Sequence, residues 1–281
     1  MKCIALASGK GGVGKTLLTA AFGLALAEAG HAVLLVDGDM GLRNLDLVLG
    51  VSEKAAQTSW DLAQGKCFEE DALISVRPGL DFLPASEKEE WKTISRHALC
   101  TVMEDLAPAY DYVLIDCPAG LGKGLRFAEE AADEWILVMG PSQASLRDAE
   151  RTAEWLKGRR PLSLVCNNFR AGPGAAVSWE AMADAAEGLP FLGVVPRSAE
   201  ADRLAQEGRL ADCRTDGAFR EAVGLVLRAF LHHAVYPRSR WQTLLRRAEE
   251  EEQVLRQETR PSGASALLRR QRRSAFRWRR R

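Results

Sequence analysis

A chain of 281 residues with 47% apolar and 7% aromatic side chains is long enough for one large α/β domain plus an appendage. Six cysteines without any C-x-x-C spacing exclude a disulfide scaffold and read as reduced thiols of a cytosolic protein; no signal-peptide pattern and no bilayer-length apolar run are seen. The formal net charge of zero conceals a split, because residues 237–281 carry fourteen arginines against five glutamates (+9), leaving −9 on residues 1–236.

Lys2–Ala7 is a short buried-strand pattern, followed by the glycine-rich segment Ser8-Gly9-Lys10-Gly11-Gly12-Val13-Gly14-Lys15-Thr16 and an apolar helical run from Thr16 to Glu28. Ala32–Val36 is a second strand, after which Asp37-Gly38-Asp39 opens a polar loop. Further strands are predicted at 80–83, 112–115, 136–139, 162–165 and 191–195. Nearly continuous apolar runs, rather than strict alternation, imply strands covered on both faces. Helical stretches lie between most of them, the βαβ pattern of a doubly wound, mainly parallel α/β sheet of P-loop NTPase type with helices on both faces. That domain is predicted to span 1–236. Arg240–Glu258 reads as a helix with sparse apolar positions at Trp241, Leu244, Leu245, Ala248 and Leu255, giving a helical extension over 237–260. Residues 261–281 form an arginine-rich basic tail.

The glycine-rich loop carries the chemistry. Backbone N–H groups of Gly11, Gly12, Val13 and Gly14 can turn toward phosphate, Lys15 can reach the β- and γ-phosphates, and the Thr16 hydroxyl can serve Mg2+. None of this requires Lys10. A lysine at the loop's start makes sense if it reaches phosphate bound in a neighbouring subunit, so the loop predicts a nucleotide switch that closes as a homodimer. Asp37 and Asp39 sit just past the second strand; they are either members of the phosphate site or turn carboxylates that bond to backbone. Asp116 ends an apolar strand at the position where a P-loop protein places a carboxylate that contacts Mg2+ through water.

The two-lysine loop resembles the deviant Walker A motif of the ParA/MinD family of ATPases. The resemblance extends through Asp37-Gly38-Asp39-Met40-Gly41-Leu42-Arg43-Asn44-Leu45-Asp46, Leu83–Ser86, Asp116–Gly120, Ser145–Asp148 and Gly193–Pro196, and covers about residues 2–235. It implies ATP and Mg2+ as cofactors and slow hydrolysis. Catalytic roles fall to Lys10, Lys15 and Asp39, the last positioning water. Thr16, Asp37 and Asp116 stand on the metal side; Leu17, Asn167 and Pro196 join the loop in holding nucleotide. Asn167 is expected at the adenine edge, with Asn168 as the alternative. Arg43, Asn44, Asp46, Arg147 and Asp148 are candidates for the dimer face or plain surface residues. Three departures stand out: Leu17 where relatives carry a hydroxyl, Gly122 in place of a glutamate, and Arg197-Ser198 in place of an acidic pair.

By the same resemblance the partners are a division-inhibitor protein and an ATPase-activating protein. The ATP state is peripheral at the inner face of the cell membrane, and the activity regulates placement of the division septum. Eight of the last sixteen residues are arginine, each contributing about 1 kcal/mol near an anionic bilayer. The apolar face beside them is thin, so the same tail also suits nucleic-acid phosphates, as in a partitioning ATPase that binds DNA nonspecifically, or no partner at all. A weakly hydrolysing adaptor is a further alternative. An iron–sulfur carrier is excluded for want of a cysteine pair.

Overall fold

The computed structural model describes residues 1–91, 93–170, 178, 182 and 188–258. Among these, eight strands form one sheet: β1 (Lys2–Ala7), β2 (Val33–Asp37), β3 (Ile74–Arg77), β4 (Leu80–Leu83), β5 (Tyr112–Asp116), β6 (Glu134–Met139), β7 (Leu162–Phe169) and β8 (Phe191–Pro196). Their order is β3-β4-β2-β5-β1-β6-β7-β8, and every pairing is parallel except β3 with β4. Helices cover both faces. Helix Lys15–Glu28 packs beside Ala218–His232, and Arg96–Leu106 packs beside Lys123–Ala131. Cys3–Ala7, Val33–Asp37 and Val113–Asp116 are buried throughout, as the unbroken apolar runs require.

The strand β3 had no counterpart in the sequence reading. Only Ile74 of its four residues is buried, so no apolar run announces it. It pairs antiparallel with β4 across Pro78-Gly79, where Gly79 takes φ 78°. β2 and β5 also run one residue further than the apolar runs, so Asp37 and Asp116 are the last residues of adjacent strands and face each other in register.

Whether residues 240–258 join the body is decided by packing. The helix Arg238–Glu258 lies against β8 and helix Ala218–His232, burying Trp241, Leu244, Leu245 and Ala248. Gly193 on β8 makes room for it: with φ 125°, a Cβ there would lie 2.2 Å from the Trp241 indole. Glu251 accepts the Ala218 N–H at 3.1 Å and so caps the neighbouring helix. Within this helix Arg247–Glu251 and Arg256–Glu252 pair, both one turn apart. The basic tail, 261–281, lies outside the described residues. No helix among the described residues is long and apolar enough to cross a membrane.

Candidate functional site

β1 ends at Ala7 in the middle of the sheet, between β5 and β6. The glycine-rich loop therefore opens where the winding changes direction, the position at which doubly wound sheets hold ligands. Gly12 (φ 79°) and Gly14 (φ 84°) take left-handed backbone conformations that make the tight turn possible. A Cβ at Gly11 or Gly12 would meet nothing within 4 Å, so this side of the loop is open to an anion. The first helix starts at Lys15 with no side-chain cap and no acidic residue in its first turn. Its orphan N–H groups and positive dipole end face the loop without a protein partner. The Ser8 hydroxyl, buried beside them, also has no hydrogen-bond partner among the described residues. Backbone donors, an uncapped helix end and an orphaned hydroxyl together fit a polyphosphate.

One cation and two carboxylates lie beneath. Lys15 Nζ donates to Asp116 Oδ1 at 2.6 Å, with both side chains nearly excluded from solvent. Burial pulls the Lys15 ammonium's pKa down, but the charge and hydrogen bond of Asp116, with Cys117 and Asp37 behind it, outweigh this and hold it above its usual value. Thr19 Oγ donates to the same oxygen at 3.3 Å. Asp37 is fully buried beside Asp116. Burial and then the Asp116 charge push its carboxyl up to about 7, against the pull of its N–H donors. Asp39 is half-buried; burial raises its pKa, Lys15 opposes and Asp116 adds.

The bonds of Asp37 decide between its two sequence readings as far as its partners go. Oδ1 accepts from Asp39 N–H at 2.8 Å, and Oδ2 from Asn44 and Leu45 N–H at 3.2 and 3.1 Å. Asp37 thus folds the loop that carries Asp39 and caps the short helix Leu45–Leu49, and any metal contact must use its remaining lone pairs. Main-chain bonds tie the three catalytic-end loops together: Gly38 N–H to Asp116 O, Gly120 N–H to Ser8 O and Cys117 N–H to Leu6 O.

The structure gives several of the predicted residues definite partners. Asn167 is 1% exposed and its amide donates to the Val13 carbonyl at 2.9 Å, so it braces the phosphate loop from below, with its second N–H and its Oδ1 left for any base. Asn168, the alternative, is half-exposed and takes φ 58°. Arg43 pairs with Asp46 at 2.9 Å and Glu87 at 2.6 Å, holding its own loop. Arg147 and Asp148 lie one turn inside helix Gln143–Leu156, and the Asp148 carbonyl packs so closely on Gly9 that a Cβ there would sit 2.3 Å away.

Thr16 and Leu17 occupy the first turn of the first helix; Leu17 packs on the core, and its N–H stays available to phosphate. Pro196 ends β8 and, with Phe169, Arg170 and Leu245, lines a cavity of about 210 Å3 under the C-terminal helix. Lys10 is exposed and makes no hydrogen bond or ion pair with the described residues. Thr19 and Trp91 were not singled out from sequence. Thr19 stands one helical turn from Lys15, a spacing that could have revealed it; Trp91, in a charged non-periodic stretch, gives no such signal.

Comparison with known proteins places this geometry. Residues 4–211 match the family profile of the CobQ/CobB/MinD/ParA nucleotide binding domain. The chain is 38% identical over 201 residues to a putative septum site-determining protein MinD of Guillardia theta, covering 69% of this chain and 75% of that one. In structure it is similar to MinD of Aquifex aeolicus in a MinC:MinD cell division complex, with TM-score 0.76, 30% identity and coverage of 84% of this chain and 98% of that one. It is likewise similar to the septum site-determining protein MinD of Pyrococcus horikoshii complexed with Mg-ADP, with TM-score 0.73, 30% identity and coverage of 82% and 96%.

Proposed function

The chain belongs to the CobQ/CobB/MinD/ParA nucleotide-binding family, and on that footing we propose that it is a MinD-type ATPase whose ATP state dimerises and acts in placing the division septum. The observation that carries the reading is the division of labour between two lysines of one loop. Lys15 is buried on Asp116, whereas Lys10 is exposed and free to reach across to a second copy. Bound ATP with Mg2+ supplies the transferable phosphoryl group and the charge that neutralises it. With it bound, Lys15 would turn from Asp116 to phosphate oxygens, and Thr16 and Asp116 would hold the metal, with Asp37 behind them. Gly11–Leu17 N–H groups cradle the phosphates, Asn168 and Pro196 border the base, and Asp39 orients water. Lys10 contacts the partner's nucleotide.

By family likeness, the partners proposed are a division-inhibitor protein, as in the Aquifex complex, and a protein that stimulates hydrolysis. The eight arginines among the last sixteen residues favour an anionic membrane surface for the tail. Two tails in one dimer bind far more tightly than one, tying that contact to nucleotide state. Size exclusion with ATP and with ADP tests the core of the reading. The wild type should shift to a dimer with ATP only, and Lys10→Ala should stay monomeric; an ATP dimer unaffected by Lys10→Ala refutes it. Sedimentation with anionic liposomes then separates the tail readings. ATP-dependent pelleting lost on truncation at Arg260 supports the membrane, and ATP-dependent retention on DNA without pelleting supports a partitioning role.

A further inference from the structure

The segment between β4 and helix Arg96–Leu106 braces the Asp39 loop at three points. Gly41 N–H donates to Ser86 O at 2.8 Å, Arg43 pairs with Glu87 at 2.6 Å, and Trp91 Nε1–H donates to the Gly38 carbonyl at 3.0 Å. The third point differs from the other two because Gly38 lies between Asp37 and Asp39 and is itself bonded to the Asp116 carbonyl. A Cβ at Gly38 would approach that carbonyl to 3.0 Å, so the peptide has little room to move.

The same indole lies against the segment that follows Asp116. Gly124 is the second residue of helix Lys123–Ala131, which follows the Cys117–Gly122 loop, and a Cβ there would lie 2.7 Å from Trp91 Nε1 and 2.3 Å from Pro118 Cγ. Behind it the Trp91 ring packs on Phe127, with ring centres 5.5 Å apart. One side chain therefore fills the space between the peptide preceding Asp39 and the segment that follows Asp116. Nothing else in the charged stretch Glu87–Glu90 has the size to do this.

We propose that Trp91 is a positioning residue for the hydrolysis reaction: its indole locks the Gly38 carbonyl, and so the backbone of Asp39, to the Pro118–Gly124 segment. The lock makes the water-orienting carboxylate and the metal-side loop move as one unit. Trp91 acts through the Gly38 backbone, as a positioning residue and not a catalytic one. The inference rests on the ATPase reading for its kinetic consequence but not for the lock itself, which the free protein carries.

Two measurements separate those levels. Amide hydrogen exchange of the nucleotide-free protein reads the lock directly. Trp91→Phe keeps the ring and removes the donor, and should speed exchange in peptides spanning 38–46 about fivefold, as expected for one lost hydrogen bond. Helix Arg96–Leu106, next in the chain, should be unchanged. Gly124→Ala, pushing from the opposite side, should speed the same 38–46 peptides without touching that loop's own residues. Steady-state ATPase assays then follow: Trp91→Phe should lower kcat about fivefold with KM within twofold, and should have no further effect in an Asp39→Asn background. Unchanged exchange at 38–46, or faster exchange spread evenly over the chain, overturns the lock. Wild-type ATPase matched by Trp91→Phe overturns the positioning role, whereas a wild type with no ATPase at all defeats the ATPase reading and leaves the exchange result to judge the lock.

Discussion

Replacing Lys15 by methionine keeps most of its aliphatic stem and removes only the charge, so the result reads the buried electrostatics rather than a cavity. The ammonium sits 2.6 Å from Asp116 Oδ1, with side-chain exposures of 9% and 2%. Asp37, fully buried, faces Asp116 from the next strand. Without Lys15 two carboxylates confront each other in the sheet with only Thr19 Oγ and backbone N–H groups to satisfy them. Losing one member of a buried pair costs about 3–5 kcal/mol, because the survivor keeps its desolvation penalty. Lys15→Met is therefore expected to be about 3–5 kcal/mol less stable by urea unfolding at pH 8 without nucleotide. At pH 5.5 the loss should shrink, since one carboxyl can take up a proton. Adding Asp116→Asn should restore most of the stability at pH 8. The reasoning fails if Lys15→Met costs under about 1 kcal/mol at pH 8, or if Asp116→Asn deepens the loss instead of repairing it.

Stability of the wild type should itself fall as pH rises. Asp37 goes from 3.8 in the unfolded chain to about 7 in the folded one, so the folded state holds a proton the unfolded state has lost between those values. The contribution is complete below pH 3.8, is lost by about pH 7, and amounts to at most about 4 kcal/mol at 1.36 kcal/mol per pH unit; urea midpoints at pH 5 and 8 measure it. Gly193→Ala should cost about 2–5 kcal/mol, from overpacking against Trp241 and a positive φ that side chains resist. Most of that cost should vanish in a Trp241→Ala background in thermal melts. Asn167→Ala leaves the buried Val13 carbonyl without its donor and should cost about 1–3 kcal/mol in stability, with ATP and GTP affinities falling together. If ATP alone weakened, the amide would be reading the base after all.

The phosphate loop, the strand pattern and Asp116 were legible because each is fixed by local chemistry. Glycines at 12 and 14 are needed for the turn, continuous apolar runs mark strands buried on both faces, and a carboxylate ending such a run points over the sheet. Neighbours in space were not legible. Asn167 was placed by its position after a strand, but only the register of β7 beneath the loop shows that its amide meets Val13. Arg43 read as an exposed loop residue because Glu87, its second partner, is 44 positions away. The strand β3 was invisible because an edge strand needs few buried residues. For the C-terminal helix, Trp241 announced an apolar face and Gly193 the space for it; neither alone says that they meet.

The buried charges explain why such a site is built at the expense of the free protein. With Asp37 and Asp116 ionised, Lys15 leaves the cluster at −1, in a place where water cannot disperse the excess. Asp37 answers by holding its proton up to about pH 7, which makes the cluster neutral and leaves the free protein tolerable. On the proposed reading a divalent cation would reverse that balance. Two positive charges beside Asp116 would favour ionised Asp37 and would free the Lys15 ammonium for phosphate oxygens, which would bring the compensating negative charge. Each partner of the resting pair thus gains a better partner in the loaded state than it had in the free one. The same groups that cost stability in the free protein supply affinity in the bound one, so Mg2+ and nucleotide should stabilise together by more than the sum of either alone. Melting shifts with Mg2+, nucleotide and both measure that excess. In Lys15→Met it should collapse, because the Asp116 that the metal meets no longer has a cation to release.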